Sequence, residues 1–573
     1  MSKYEMFLSS SLEKVFPTRR PTALEADTVL SAWRNTRASI QLVYKAVEEP
    51  GFMPLQEFKI EVKGAPSKVS IRKVELIPSD FPCYGERDED YITTTPGLFP
   101  DLLRPTDEET IVPLPGQYRS LWISFDLPED VKPGQYRICI KATAVDKIYV
   151  PNGTIYEDEE VKNLVIENEF TLHVGRAVLP EQELIHTEWF HADCLAAYYK
   201  TEVFDEEHWR IIENFIRAAG QKHGINMILT PVFTPPLDTA RGKERMTVQL
   251  VDVRKEGGTW SFDFTKLERW AKICKRCGIR YLEIAHFFTQ WGATSAPKIL
   301  AEVDGEVRQI FGWDTRAAGE EYREFLHAFL PQLQEKLEMF GYDKEHVYYH
   351  ISDEPSPAQM EDYRAARNLV KEELPEDQII DALSSLEFYK KGIVPHPIPG
   401  TSEVDEFYEA KVPNLWVYYC CAQCKDVPNR FFAMESARNR IMGVLMYLYD
   451  IKGFLHWGYN FYSSKYSLYP VNPYQITHAG YAFPSGDAYL VYLGEDGEPL
   501  DSIRVEVQDE GLLDLRALKY LESLTDRKFV ENLIYEGTKI QSMSFKNYPK
   551  SAKWILDLRE KIANEIELRE QAL

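Results

Sequence analysis

Hydrophobic and polar residues alternate along much of the first part of the chain. In the segments 121–127, 136–141 and 169–174, apolar side chains occupy every second position. A period of two places apolar side chains on one face of a strand and polar ones on the other. Between residue 30 and residue 178 no long helical pattern occurs. The sequence therefore predicts an antiparallel β-sandwich over residues 1–178.

The pattern changes near Pro180, where short apolar segments begin to alternate with amphipathic helices. Helical spacing is clearest over 319–340, and a second helix is predicted over 434–450. Eight segments are predicted as strands, namely 184–189, 225–229, 281–285, 347–351, 379–382, 392–395, 415–419 and 453–457. Eight such βα units predict a (β/α)8 TIM-type barrel over residues 179–484.

The remaining residues, 485–573, are predicted to form a small C-terminal appendage packed on the barrel. Two further strands are predicted at 488–493 and 502–507, and two helices at 511–524 and 551–571. The expected fold class is therefore multidomain, α/β plus β, with a sandwich, a barrel and an appendage.

The charge balance argues against two classes of partner. The chain has 66 Lys+Arg and 90 Asp+Glu, a net charge of −24, and no long basic run. A chain with this negative charge binds nucleic acid or an anionic membrane poorly, because like charges repel. No signal-peptide pattern and no apolar stretch of about 18 residues occurs, so we expect a cytoplasmic protein without a membrane span. The sequon Asn152-Gly153-Thr154 should then be unused, and the sequence indicates no particular oligomeric state.

Active sites of βα barrels lie at the carboxyl ends of the strands. Polar and aromatic residues that follow the predicted strands are therefore candidates for substrate binding, although hydrogen bonds that stabilise loops explain such residues equally well. The candidates are His191, Asp193, His286, Gln290, Trp291, His396, Tyr418, Tyr419, Trp457 and Asn460.

Asp353 and Glu354 follow the fourth predicted strand and are the sharpest candidates for catalysis. Two carboxylates held close together raise the pKa of one, which supplies a proton donor near neutral pH. The dipole of a helix beginning near residue 356 explains one acid but not readily two. Neighbouring side chains of a strand point to opposite faces, so both acids serve one site only if the strand has ended. Adjacent carboxylates suit substrate-assisted hydrolysis, in which the 2-acetamido oxygen of the sugar attacks the anomeric carbon, better than a nucleophile–acid pair.

A metal-dependent hydrolase is an alternative interpretation of the same strand ends. Its candidate ligands are His191, Asp193, His286, His396 and Glu354. A His-x-Asp pattern is weaker evidence for a metal than His-x-His. The pairs Cys274-x-x-Cys277 and Cys421-x-x-Cys424 are far apart, and the first lies inside a helical pattern, which is typical of structural cysteines. We therefore predict no metal and no other cofactor.

Four segments resemble glycoside hydrolase family 123: HTEWFHADCL, TPVFTPPLDT, HFFTQWGA and HISDEP, which follow or end the first four predicted strands. The resemblance extends from WRNTRASIQLVY to SIRVEVQDEGLLDLRAL. It implies an exo-acting, retaining β-N-acetylgalactosaminidase with a substrate-assisted mechanism and no metal. It also implies that Asp353 stabilises the acetamido group and that Glu354 is the general acid/base. A small carbohydrate is then the expected ligand, and a non-catalytic glycan-binding barrel is the competing hypothesis.

Overall fold

The computed structural model describes residues 3–25, 27–47, 55–106, 109–149, 155–156 and 164–572. The Asn152-Gly153-Thr154 sequon lies outside the described residues. Among the helices in the described ranges, none is both long enough and apolar enough to cross a membrane.

Two β-sheets form the amino-terminal part of the chain. Their strands are β1 (Tyr4–Ser10), β2 (Val29–Arg34), β3 (Thr36–Ala46), β4 (Leu55–Lys63), β5 (Val69–Ser79), β6 (Gly97–Pro105), β7 (Thr110–Ile111), β8 (Arg119–Leu127), β9 (Gly134–Tyr149), β10 (Ile155–Tyr156) and β11 (Val165–Val178). One sheet has the order β1-β3-β8-β5-β6, and the other has β2-β11-β9-β4-β7 with β10 paired to β9. Ile40 and Ile123 of the first sheet share a buried apolar cluster with Ile138 and Leu172 of the second, so the sheets pack face to face.

One edge of the second sheet departs from the predicted antiparallel pairing, because β11 runs parallel to β2. β2 and β3 belong to different sheets and are separated only by Asn35, whose φ of 60° turns the chain sharply. The chain thus leaves the second sheet after one strand, β2, at one edge of that sheet. It returns to the sheet with β4, next to the strand at the other edge.

The rest of the chain alternates strands and helices. Its strands are β12 (Ile185–Glu188), β13 (Met227–Thr230), β14 (Asp252–Glu256), β15 (Thr259–Asp263), β16 (Tyr281–Ile284), β17 (Ile299–Val303), β18 (Glu306–Phe311), β19 (Val347–Tyr349), β20 (Ile380–Ala382), β21 (His396–Ile398), β22 (Trp416–Tyr418), β23 (Gly453–His456), β24 (Tyr492–Leu493) and β25 (Pro499–Leu500). Its helices are α1 (Ala192–Tyr199), α2 (Glu206–Lys222), α3 (Thr265–Arg276), α4 (Glu320–Met339), α5 (Met360–Val370), α6 (Leu386–Lys390), α7 (Val404–Glu409), α8 (Ser436–Arg440), α9 (Met442–Leu448), α10 (Ile503–Leu524), α11 (Arg527–Tyr535) and α12 (Ala552–Ala572).

Six parallel strands form a continuous sheet in the order β19-β16-β13-β12-β23-β22, and β20 pairs in parallel with β21. Single parallel bridges join Tyr349 to Ile379 and Gly400 to Tyr418. The fold is therefore mixed α/β, with a sheet-rich amino-terminal region and a parallel-sheet half-barrel. The closed (β/α)8 barrel and the domain limits stay predictions.

The predicted sixth strand, 392–395, is wrong, whereas the other seven predictions overlap observed strands. The strand begins later, at His396. Gly392 has a φ of 65° and donates its N–H to the carbonyl of Tyr389 at 2.8 Å, so it ends α6. This shift moves His396 from the carboxyl end of a strand to its first residue.

The predicted strand 502–507 is also wrong, because these residues begin α10. The hydroxyl of Ser502 accepts the N–H of Val505 at 3.2 Å and caps the helix. The alternation arises because charged residues are buried too: Arg504 forms a buried ion pair with Asp101 at 2.9 Å. Because polar and apolar side chains of this segment are both buried, their alternation does not show that one face is exposed.

Two hairpins that the periodicity does not predict, β14–β15 and β17–β18, combine into a four-stranded sheet. They follow β13 and β16 and extend the loops at the carboxyl edge of the half-barrel. The predicted helix 434–450 is divided into α8 and α9, and α10 packs against both of them as well as against α12. The C-terminal residues are thereby tied to the half-barrel.

Candidate active site

A cavity of about 230 Å³ opens at the carboxyl ends of the parallel strands. Three carboxylates line it, namely Asp238, Asp353 and Glu354, together with several large aromatic residues that include Trp291 and Trp457. This is the edge of the sheet where the sequence places the catalytic residues, and the lining combines acid groups with apolar faces, as sugar sites do.

Asp353 and Glu354 reach the same cavity because β19 ends at Tyr349, before either of them. The chain then turns: Glu354 has a φ of 44° and donates its N–H to the carbonyl of Ala382 at 3.0 Å. The carbonyl of Asp353 accepts the N–H of Trp291 at 2.9 Å. A left-handed backbone at a glutamate is unusual and is held here by these bonds to neighbouring loops.

The carboxylate pair retains a proton more readily than isolated acids do. Burial raises the pKa of Asp353 well above its usual range, and the negative charge of Glu354 raises it further. Burial raises the pKa of Glu354 as well, although this residue opens onto the mouth of the cavity. The hydroxyl of Tyr418 donates to Glu354 Oε1 at 2.7 Å and opposes that rise. A carboxyl group that keeps its proton near neutral pH is what general acid catalysis requires.

A buried histidine places a positive charge close to this pair. His350 donates from Nε2 to Glu283 at 2.5 Å and from Nδ1 to Asp381 at 3.1 Å. Burial alone lowers the pKa of His350, but the bonds to Asp381 and Glu283 outweigh burial and raise it to about 10. The resulting imidazolium favours the ionised form of Asp353.

His191 lines the cavity and forms a buried framework with Asp193 and Asn460, which lie behind it. Arg245 donates to both oxygens of Asp193, at 2.8 and 2.9 Å, and to His191 Nδ1 at 3.0 Å. His191 Nε2 then donates to the carbonyl of Trp457 at 2.9 Å. Asn460 Oδ1 accepts the backbone N–H of His191 at 2.8 Å. Burial, reinforced by Arg245, lowers the pKa of His191 to about 3, so this ring is neutral. The group positions Trp457.

Gln290, Trp291 and Trp457 line the cavity, and His286 lies buried beside it. Gln290 Oε1 accepts the N–H of Asp238 at 2.5 Å, while its Nε2 has no hydrogen-bond partner among the described residues. His286 stacks on His350 with ring centroids 4.2 Å apart, and neither of its ring nitrogens has a partner in the described part of the chain.

Tyr419 and His396, which the sequence predicts as substrate-binding residues, lie away from the cavity. Tyr419 is buried on the other side of the strand from Tyr418, with its ring centroid 5.2 Å from that of His456. His396 begins β21, at the strand end opposite the cavity, with its Nε2 3.9 Å from an oxygen of exposed Asp377. Alternation along β22 and the later start of β21 explain the two differences.

The predicted set of metal ligands is not brought together, because His396 lies at the far strand end and both nitrogens of His191 are hydrogen-bonded. A different trio, His286, His350 and Asp381, has possible ligand atoms within 4.8 Å of one another. Each nitrogen of His350 is already paired with a carboxylate, so these contacts are satisfied without an ion.

The predicted set of substrate-binding residues does not include Asp238 or the loop that follows β23. Asp238 has a φ of 39°, and its Oδ2 accepts the N–H of Tyr466 at 2.8 Å. Burial raises the pKa of Asp238 to about 6. Lys465 and Tyr466 line the cavity, and Tyr466 meets Trp291 edge to face with centroids 5.9 Å apart. The position of Asp238 after β13 is the sequence signal that could have identified it. Nothing in the local sequence indicates that Lys465 and Tyr466, in the loop after β23, reach the same cavity.

Comparison with known proteins agrees with this geometry. The family model described as glycoside hydrolase 123, catalytic domain, matches residues 189–521, more than half of the chain. The solved structure of a family 123 glycoside hydrolase from Clostridium perfringens, described with the details of glycolipid glycan hydrolysis, is 16% identical. It aligns over 99% of this chain and 97% of that chain with a TM-score of 0.71, a likeness that shows the fold.

A second solved structure, the catalytic domain of a hyperthermophilic chitinase from Pyrococcus furiosus, covers 59% of this chain and 97% of its own. Its 7% identity and TM-score of 0.25 are too low to indicate a shared fold. The search of curated proteins found no match. The resemblance first read from HTEWFHADCL, HISDEP and the neighbouring segments is confirmed by the family model. The chain therefore belongs to glycoside hydrolase family 123 and is a glycoside hydrolase.

Proposed function

We propose that this glycoside hydrolase removes a terminal β-linked N-acetylgalactosamine by a retaining, substrate-assisted mechanism. The observation that carries the proposal is that Asp353 and Glu354, adjacent in sequence, open into one cavity, where the pKa of each is raised. A cavity of about 230 Å³ is small for a ligand site and suits one sugar ring rather than a chain.

The first half-reaction divides the work between the two acids. Asp353 accepts the acetamido N–H of the sugar, which orients the acetamido oxygen toward the anomeric carbon. Once Asp353 is ionised for that bond, the proton retained by the pair resides on Glu354. Glu354 gives this proton to the glycosidic oxygen as the carbon–oxygen bond breaks. His350 supports the ionised state of Asp353 with its positive charge.

The second half-reaction uses the same two residues. Glu354 accepts a proton from a water molecule, and the water attacks the anomeric carbon from the side that the leaving group occupied. The cyclic oxazolinium formed by the acetamido group opens, so the β-configuration is retained. Tyr418 fixes the orientation of Glu354 through the 2.7 Å bond to Oε1.

Residues around the acids are proposed to hold the sugar ring. Trp457 and Trp291 offer apolar faces for the sugar, and Trp457 is fixed by a bond from its Nε1 to Asp487 at 3.0 Å. Asp238 accepts hydroxyl hydrogens, and Gln290 donates from the Nε2 that has no partner in the described protein.

A panel of aryl β-glycosides tests the proposal. The 2-acetamido-2-deoxy galactoside is expected to be the best substrate, and the plain galactoside should not turn over. A glycolipid glycan belongs in the panel because the Clostridium perfringens protein is described with that substrate class. Turnover of the plain galactoside, with none of the acetamido sugars, would refute acetamido participation.

Two other hypotheses have separate tests. A non-catalytic glycan-binding protein would bind the acetamido sugar without turnover, both as the native chain and as Glu354→Gln. A metal-dependent hydrolase would lose activity with a chelator and regain it with zinc. Because the proposed steps use carboxylates alone, we expect chelation to leave turnover unchanged.

The proposal also includes the architecture and location predicted from sequence. The two single bridges would close the sheets into a (β/α)8 barrel, with domain limits near residues 178 and 484. Limited proteolysis tests these limits, since cleavage away from both would contradict them. Cell fractionation tests the expected cytoplasmic location.

A further inference from the structure

Two adjacent thiols line the same cavity as the catalytic carboxylates. Cys420 and Cys421 follow β22 and are half-buried, and both are free of disulfide bonds. They come directly after Tyr418 and Tyr419, so the thiols lie next to the residue that donates to Glu354. The proposed glycosidase reaction uses neither thiol.

The loop holds both thiols on one side of the chain. Neighbouring side chains of a strand point apart, but β22 ends at Tyr418 and the chain turns at Cys421. Cys420 Sγ accepts the N–H of Ala422 at 3.4 Å and donates to Gln423 Oε1, also at 3.4 Å. The side chain of Asn429 donates to the carbonyls of Cys420 and Gln423, both at 2.9 Å. The dithiol is thus part of a tightly bonded loop.

We propose that Cys420 and Cys421 form a dithiol site that binds trivalent arsenicals and thereby closes the catalytic cavity. An arylarsonous acid, which is the hydrated form of an arylarsine oxide, carries two hydroxyl groups on trivalent arsenic. Each thiol sulfur forms a bond to arsenic, each hydroxyl leaves with one thiol proton, and two water molecules are released. Arsenic stays trivalent, so the step needs no oxidant or reductant.

Two features favour capture by a bidentate reagent over attack by an ordinary alkylating one. A hydrogen bond with the Cys421 thiol, together with burial, raises the pKa of Cys420 well above its usual range. Cys420 is therefore a protonated thiol and a slow nucleophile on its own. Once one sulfur holds the arsenic, the second bond forms within a single molecule, which raises the effective concentration of the second thiol greatly.

Bound arsenic would block turnover by position. The cavity has room for about one sugar ring. The aryl group of an arsenical bound to Cys420 and Cys421 would occupy that space beside Glu354. Inhibition depends on the proposed glycosidase activity, but adduct formation does not. The two measurements therefore separate a failure of this inference from a failure of the proposed function.

Phenylarsine oxide added to the full-length protein is the test. Intact-mass spectrometry should show one arsenical per native chain, and the aryl glycosidase activity should fall with it. Cys420→Ser and Cys421→Ser should each weaken binding by about 10²-fold, since either leaves one thiol. Cys139→Ser, on β9, is the matched control and should bind as the native chain does.

Reversal gives a second criterion. A small dithiol should remove the arsenical and restore activity, whereas the same concentration of a monothiol should not. Undiminished binding by either Cys420→Ser or Cys421→Ser would overturn the proposal, and so would an adduct that leaves activity intact in a chain that turns over the aryl glycoside. If one serine variant fails to fold, the other still decides the question.

Discussion

Replacing Asp238 by asparagine should make the protein more stable and less active, with a stability gain that depends on pH. Asparagine keeps an oxygen that can accept the Tyr466 N–H, which Asp238 Oδ2 accepts at 2.8 Å. It also tolerates the φ of 39° at this position. What it loses is the negative charge and with it the strongest hydroxyl acceptor on this side of the cavity.

The magnitude follows from the pKa of the buried carboxyl group. Burial raises the pKa of Asp238 from 3.8 to about 6, and each pKa unit corresponds to about 1.4 kcal/mol. Because the folded-state pKa lies above the unfolded one, the native chain loses stability as pH rises from about 4 to about 6. The full cost at higher pH is about 3 kcal/mol, and solvent in the open cavity reduces it to about 2 kcal/mol. Asp238→Asn should recover this amount above pH 6 and nothing below pH 4.

Thermal unfolding at pH 4 and pH 8 measures the effect. Relative to the native chain, Asp238→Asn should unfold about 2 °C higher at pH 8 and at the same temperature at pH 4. Asp130→Asn, which alters an exposed aspartate in a loop, is the matched control and should change neither value. In the glycosidase assay, Asp238→Asn should raise KM and lower kcat/KM by about 10-fold or more, as expected for a lost charged hydrogen bond. A gain of equal size at both pH values, or no gain at pH 8, would refute the argument from burial.

Four further substitutions test the roles of other residues. Glu354→Gln should retain more activity on an activated aryl glycoside than on a disaccharide, because a good leaving group departs unprotonated, whereas Asp353→Asn should lower both rates by at least about 10²-fold. Equal losses on both substrates by the Glu354 variant, without rescue by azide, would show that another group is the acid/base. Tyr418→Phe removes the bond that opposes the raised pKa of Glu354, so the alkaline limb of the pH–rate profile should move to higher pH, and an unmoved limb would contradict this. Arg245→Met leaves buried Asp193 unpaired and should destabilise the fold by about 3–5 kcal/mol, seen as a lower urea midpoint, whereas an unchanged midpoint would mean that the pair contributes little.

Local periodicity was informative wherever an element has one buried face. The alternation over 169–174 and the helical spacing over 319–340 correspond to β11 and α4. It failed where both faces are buried, as at the start of α10, and where a glycine turn precedes a short strand, as at Gly392. In both places the decisive feature is a local cap or turn, at Ser502 and at Gly392, which the alternation of apolar and polar residues does not reveal.

The sequence by itself determined the family, and it predicted Asp353 and Glu354 as the catalytic pair. Both follow because the HISDEP segment is continuous and its strand-end position follows from the βα alternation. Only the tertiary structure decided which other residues meet them. Asp238 and Tyr466 are more than two hundred residues apart, and they touch because two loops fold over the same sheet edge. It also separated Tyr418, which faces the cavity, from Tyr419, which is buried behind it. Residue type and spacing specify which chemistry is available, whereas the convergence of distant loops determines which groups carry it out.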